Sequence, residues 1–315
     1  MKAISLLFIL GLSAPLLAEP PVQPGEKLLF LGDSITQGGT YVALIDAAII
    51  AHAADKHYDI VSAGLSSETV SGLSEPGHAG GKFPRPDLHE RLDRVLAVVK
   101  PKVAVACYGM NCGIYMPLSE ERFKAYRDGM IKLREKAMAA GAKVIHLTPP
   151  VHDPVPIMDK TDPTGAEGDK FTKPYTRYND VLDKYSEWLL QQRNAGWEVI
   201  DLHGPMKQAL KEGREKDPKF VLSKDGVHPG LEGHALMAQC VLDAWQIPGK
   251  AIDIATNPQL AAFWKAVEAK QSVLKAAWLS KAGHKRPGVP TGLPIEEAEA
   301  KAKLEDTKAR ELVRK

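Results

Sequence analysis

The chain of 315 residues is 44% hydrophobic, 25% charged and 6% aromatic, which excludes the disordered, collagenous and disulfide-scaffold classes and leaves material for a substantial core. Forty-one Lys and Arg against 39 Asp and Glu leave a formal charge of +2, so no single-sign field calls for nucleic acid as a partner. Three cysteines, Cys107, Cys112 and Cys240, are too few for a disulfide framework.

The chain opens Met1-Lys2, runs apolar from Ile4 to Leu12 and reaches the small residue Ala18 just before Glu19-Pro20-Pro21. Residues 1–18 therefore read as a secretory signal peptide, too short for a spanning helix. The expectation is a periplasmic or secreted protein with no membrane span after cleavage.

Five short apolar runs follow, at Lys27–Leu31, Asp59–Ser62, Lys102–Cys107, Lys143–Leu147 and Glu198–Leu202, each bounded by Gly, Pro or charge. Runs of this length and continuity suit strands buried on both faces. Between and after them, residues 41–54, 88–99, 120–140, 175–193 and 230–245 carry apolar residues at helical spacing. Strands alternating with such helices imply right-handed crossovers and a parallel sheet covered on both sides, with ligands at the carboxyl ends of the strands. Two connections, 74–87 and 149–174, are long and rich in Pro, and both are candidates for walls of a binding site. From Pro258 the pattern is helical alone. The expected division is residues 1–18 as signal peptide, 19–250 as an α/β domain and 251–315 as a helical hairpin packed on that body.

Ser34 lies directly after the first strand, in Gly32-Asp33-Ser34-Ile35-Thr36. There its hydroxyl can reach the sheet's carboxyl edge while its own N–H opens a turn or helix where negative charge is favoured. Alternatively, Ser34 or Asp33 simply caps a helix. A phosphate loop is excluded, because the segment lacks the Gly-Lys-Ser/Thr ending and the G-x-G-x-x-G spacing. Near the other end, Asp225-Gly226-Val227-His228 sets a carboxylate three residues before an imidazole. A serine hydroxyl needs a base to take its proton, and the imidazole needs a carboxylate to hold its tautomer.

These residues make the chain resemble the SGNH hydrolase, or GDSL esterase, family over roughly residues 26–247. Gly32-Asp33-Ser34 matches the nucleophile block, Gly64 the second-block glycine, Asn111 in Gly109-Met110-Asn111-Cys112 the third-block asparagine, and Asp225 with His228 the last block. The resemblance implies a catalytic triad of Ser34, His228 and Asp225 and an oxyanion hole formed by the Ser34 N–H, the Gly64 N–H and the Asn111 amide, each worth about 10²–10³ in rate. Taken singly, Gly64 and Asn111 also read as turn residues. Cys112 stands where the family usually has Asp, a change expected to loosen the Asn111 loop. As a second nucleophile, Cys112 would need a lowered pKa.

Pattern and resemblance together lead to a flavodoxin-like three-layer α/β/α sandwich on a five-stranded parallel sheet, with a C-terminal helical extension. The expected activity is hydrolysis of a carboxylic ester, an acetyl group on a carbohydrate or other polar carrier. O-acyl transfer and an inactive carbohydrate-binding module on the same scaffold remain as alternatives. No cofactor is expected, and the partner is a small-molecule or carbohydrate ester, not nucleic acid. Eight other histidines, His52, His57, His89, His146, His152, His203, His234 and His284, show no metal-ligand spacing, so no metal is expected. His284-Lys285-Arg286 reads either as a cationic cluster near a substrate anion or as a solvated turn.

Overall fold

The computed structural model describes residues 19–166 and 172–314, and the expected signal peptide at 1–18 lies outside the described residues. Five strands, β1 (Lys27–Gly32), β2 (Asp59–Ser62), β3 (Val103–Cys107), β4 (Lys143–Leu147) and β5 (Glu198–Ile200), form one all-parallel sheet in the order β2-β1-β3-β4-β5. The apolar runs produce this because both faces of each strand are covered. Leu28, Leu29, Phe30 and Leu31 are all 0% exposed, as a two-sided strand requires.

The helices are α1 (Ser34–Gly38), α2 (Thr40–His52), α3 (Leu88–Val99), α4 (Glu120–Ala139), α5 (Tyr178–Gln191), α6 (His203–Lys216), α7 (Leu231–Ala244), α8 (Ala251–Thr256), α9 (Ala261–Ala282) and α10 (Ile295–Val313). The chain steps one way from β1 to β2 and the opposite way from β2 through β3 and β4 to β5. Right-handed crossovers therefore put α2 on one face and α3, α4 and α5 on the other. Helix α7 packs against α2. The result is the expected three-layer α/β/α sandwich.

One strand boundary differs from the sequence reading. The fifth run ends as a strand at Ile200, because the Thr148 hydroxyl accepts from both the Leu202 and His203 N–H groups and turns the chain into α6. The C-terminal helices run from α8, which starts at Ala251.

Helix α9 packs against β2, α2, α3 and α10. Its apolar side chains Phe263, Trp264, Val267 and Trp278 are buried. At the centre of this contact the Lys270 ammonium lies 2.9 Å from Asp46 of α2 and 2.8 Å from Asp306 of α10. Gln271 donates to Asp46 Oδ2 at 2.6 Å. One buried carboxylate thus receives a charge and an amide from the same helix, as burial of a charge demands.

Candidate active site

The strand order sets the site. Because β1 lies between β2 and β3, the three positions 34, 64 and 111, each just beyond a strand end, come to one edge of the sheet. Asp33 is the helix cap of α1, its Oδ1 accepting the Ile35 N–H at 3.0 Å. Capping therefore falls to Asp33 and leaves the Ser34 side chain free for another partner. Burial, opposed by the Ile35 N–H and by His228, pushes the Asp33 carboxyl up to about 6.

That partner is His228. The Ser34 hydroxyl lies 2.8 Å from His228 Nε2, and His228 Nδ1 lies 2.7 Å from Asp225 Oδ2. With Nδ1 protonated, the ring donates to the carboxylate and its Nε2 accepts from the hydroxyl. Asp225 Oδ1 accepts from the N–H groups of Val227 at 3.0 Å and His228 at 2.7 Å, which folds the four-residue turn onto its own carboxylate. Gly226 completes the turn at φ +77°, where a Cβ would meet the Asp153 carbonyl at 2.5 Å. The Asp153 N–H in turn donates to the Gly226 carbonyl at 2.8 Å, so the long connection after β4 grips the His228 turn.

The electrostatics agree with this geometry. The Asp225 hydrogen bond raises the His228 pKa above its ordinary value, against the opposing effect of burial. Burial pushes Asp225 up, but the His228 ring and the two backbone N–H groups outweigh it and hold the carboxyl well below the usual range. The site is open: the His228 and Asp225 side chains are 52% and 57% exposed. A cleft of about 730 Å³ runs beside His228, lined by Leu222, Asp225, Leu231, Glu232 and Ile252 among others.

The Gly64 backbone lies against the turn of α1. A Cβ there would sit 2.4 Å from the Gln37 nitrogen and 2.7 Å from the Thr36 carbonyl carbon, so the close approach requires glycine. The Leu65 N–H donates to the Gly32 carbonyl at 2.9 Å and fixes this segment beside the end of β1. Asn111 is 4% exposed. Its Nδ2 donates to the Glu68 carbonyl at 3.3 Å, and its Oδ1 accepts from the Tyr115 hydroxyl at 3.1 Å.

The loop around Cys112 is tied to other parts of the fold by side-chain hydrogen bonds. Tyr178 spans it, its hydroxyl accepting from the Gly113 N–H at 3.0 Å and donating to the Met110 carbonyl at 2.9 Å. The Ser71 hydroxyl donates to the Cys112 carbonyl at 3.1 Å. The Cys112 thiol itself is fully buried, and burial pushes it up to about 12. It is a packed apolar side chain in this fold, not a nucleophile.

Several neighbours of the site have no counterpart in the sequence reading. Glu68, just beyond Gly64, forms a buried bidentate pair with Arg91 at 2.6 and 2.8 Å and accepts from the Tyr108 hydroxyl at 2.6 Å. Glu75 holds Arg85 in the same way at 2.6 and 2.7 Å, and the Arg85 guanidinium lies 5.3 Å from the centre of the Tyr115 ring. Of the cationic triplet, Lys285 pairs with Glu90 at 3.1 Å and Arg286 lies over Phe83. Among the described residues no group of three or more His, Cys, Asp or Glu is gathered to hold a metal ion, and no helix is long and apolar enough to cross a membrane.

Comparison with known proteins follows the same lines. In sequence, no curated protein matches. In structure, the chain is similar to a gut microbial diltiazem-metabolizing enzyme at 22% identity and a TM-score of 0.55, over 74% of this chain and 50% of that one, so it spans about half that protein's length. It is also similar to a catalytic mutant of an acetylxylan esterase from Geobacillus stearothermophilus at 21% identity and a TM-score of 0.53, covering 72% of this chain and 97% of that one. The profile of the GDSL-like Lipase/Acylhydrolase family matches residues 30–236, a span running from the end of β1 through the His228 turn into α7. The chain belongs to the GDSL-like lipase/acylhydrolase family, whose members are hydrolases of ester bonds.

Proposed function

We propose that the chain is an exported serine esterase in which Ser34 attacks an ester carbonyl, His228 takes the hydroxyl proton and returns it to the leaving alcohol, and Asp225 holds the imidazole in the required tautomer. The observation that carries this is the unbroken relay of 2.8 and 2.7 Å contacts from Ser34 through His228 to Asp225. The tetrahedral oxyanion would be met by the Ser34 and Gly64 N–H groups and by Asn111 Nδ2, which has a second hydrogen beyond the one given to Glu68. Water, activated by the same imidazole, then releases the acid.

The acyl group we assign is acetyl, on a carbohydrate or similarly polar alcohol. Support comes from the fold shared with an acetylxylan esterase and from a cleft bordered by Glu232 and Lys224 as well as by apolar side chains. Export rests on the leader-like sequence at 1–18. Hydrolysis is favoured over O-acyl transfer because His228 and Asp225 are half exposed, and transfer to an acceptor alcohol requires a site that excludes water.

The test is hydrolysis of 4-nitrophenyl acetate by the wild type and by Ser34→Ala, with phosphonate labelling followed by mass spectrometry. Turnover that falls by at least 10³ in the variant, with label on Ser34, is the expected result. Equal rates in the two proteins, with Ser34 unlabelled, would favour the inactive binding module.

A further inference from the structure

We infer that Tyr115 is a positioning residue that locks the Asn111 amide with its donor edge toward the reacting oxygen; this rests on the esterase reading above. A side-chain amide can aim either its oxygen or its nitrogen at a site, and only the nitrogen stabilises an oxyanion. In this chain the amide is clamped at both ends. The Glu68 carbonyl takes one Nδ2 hydrogen at 3.3 Å, a long bond that is a weak latch by itself. The Tyr115 hydroxyl closes the other end, donating to Oδ1 at 3.1 Å. With both bonds made, the second Nδ2 hydrogen is left for the substrate.

The ring that carries this hydroxyl is itself fixed at unusual conformational cost. Ile114 and Tyr115 are consecutive non-glycine residues at φ +49° and +55°, a left-handed pair that persists only where surroundings over-determine it. The surroundings do so. Tyr178 stacks on the ring at 4.8 Å between centroids, and the Tyr175 N–H donates to the Tyr115 carbonyl at 2.9 Å. Arg85 lies against the ring, and Glu75 holds Arg85 through two buried hydrogen bonds. The Pro-rich connection after β2 thus reaches the Asn111 donor through one hydroxyl group. Tyr115 is 7% exposed, with its hydroxyl on Asn111. Its effect passes through Asn111, where Cys112 supplies no carboxylate to help.

The experiment compares wild type, Tyr115→Phe, Asn111→Ala, the double variant and Ser34→Ala on 4-nitrophenyl acetate, with melting temperatures throughout. Tyr115→Phe keeps the ring, its stack and its cation contact and removes only the donor. Its kcat should fall about tenfold with KM unchanged, because the interaction lost acts on the transition state. In the Asn111→Ala background the same change should cost less than twofold, since no amide remains to orient. In ¹⁵N spectra the Asn111 amide pair, identified by its disappearance in Asn111→Ala, should shift and broaden in Tyr115→Phe. A Tyr115→Phe enzyme within twofold of wild type, or an equal loss in both backgrounds, overturns the positioning role while leaving the esterase reading intact. If Ser34→Ala matches the wild type instead, it is the esterase reading that fails, and the inference with it.

Discussion

His228 feels two carboxylates, Asp225 by a direct hydrogen bond and Asp33 through space, and both raise its pKa. A general base works only when neutral, so the sign of the pH dependence follows. Activity should be lost on acidification as the imidazole protonates, and the midpoint of that limb should lie above the ordinary histidine value of about 6.5. Replacing Asp225 with Asn removes the larger of the two influences. In kcat/KM profiles between pH 5 and 9 the acid limb of Asp225→Asn should move to lower pH, while kcat falls on the order of 10³-fold because the tautomer is no longer held. A limb that stays in place would mean that the 2.7 Å contact does not govern the imidazole.

At the scale of elements, the order β2-β1-β3 does most of the work of bringing the proposed oxyanion donors to one edge of the sheet. The strands run in parallel register, Gly32 beside Cys107 and Phe30 beside Ser62, so Ser34 and Gly64, two residues past their strands, and Asn111, four past its own, leave the same edge of the sheet. This is why so much of the site was legible in the chain. Ser34 and Gly64 announce themselves by following apolar runs, and Asp225 with His228 by a turn spacing tied to a known chemistry. The supports were not legible. Glu68 and Arg91 stand 23 positions apart and Tyr115 has its meaning only through Asn111; no periodicity or spacing rule joins such residues before the backbone brings them together. The resemblance likewise marked Cys112 as a departure but could not show that Tyr178 and Ser71 hold its loop. Gly64 offers a direct check on the element-level argument. Its substitution by Ala must move either β2's exit or the turn of α1, since backbone atoms stand 2.4 and 2.7 Å from the new methyl. We expect kcat for acetate ester hydrolysis to fall by 10² or more, about 3 kcal/mol of lost oxyanion stabilisation, with a smaller change in KM.

The whole molecule depends on how the C-terminal helices are fastened. Lys270 is 6% exposed and Asp46 1%, so their contact is a buried pair whose value shows when one partner is removed. Lys270→Met should leave Asp46 with only the Gln271 amide and cost about 3–5 kcal/mol of stability, read from urea unfolding, while Lys270→Met combined with Asp46→Leu should recover much of it. A single variant that loses less than 1 kcal/mol would show that the apolar contacts of Phe263, Trp264 and Trp278 carry the attachment by themselves.

That attachment has a consequence beyond holding two helices in place. Strand β2 is the outermost strand on its side of the sheet, and Gln271 of α9 reaches across to the Ile60 carbonyl at 3.5 Å while the helix lies along it. Bare strand borders invite pairing with another chain. Helix α9 therefore serves as a selvedge: it finishes the fabric where it would otherwise unravel into its neighbours, and a chain shortened before residue 261 would offer its raw border to every other copy in solution.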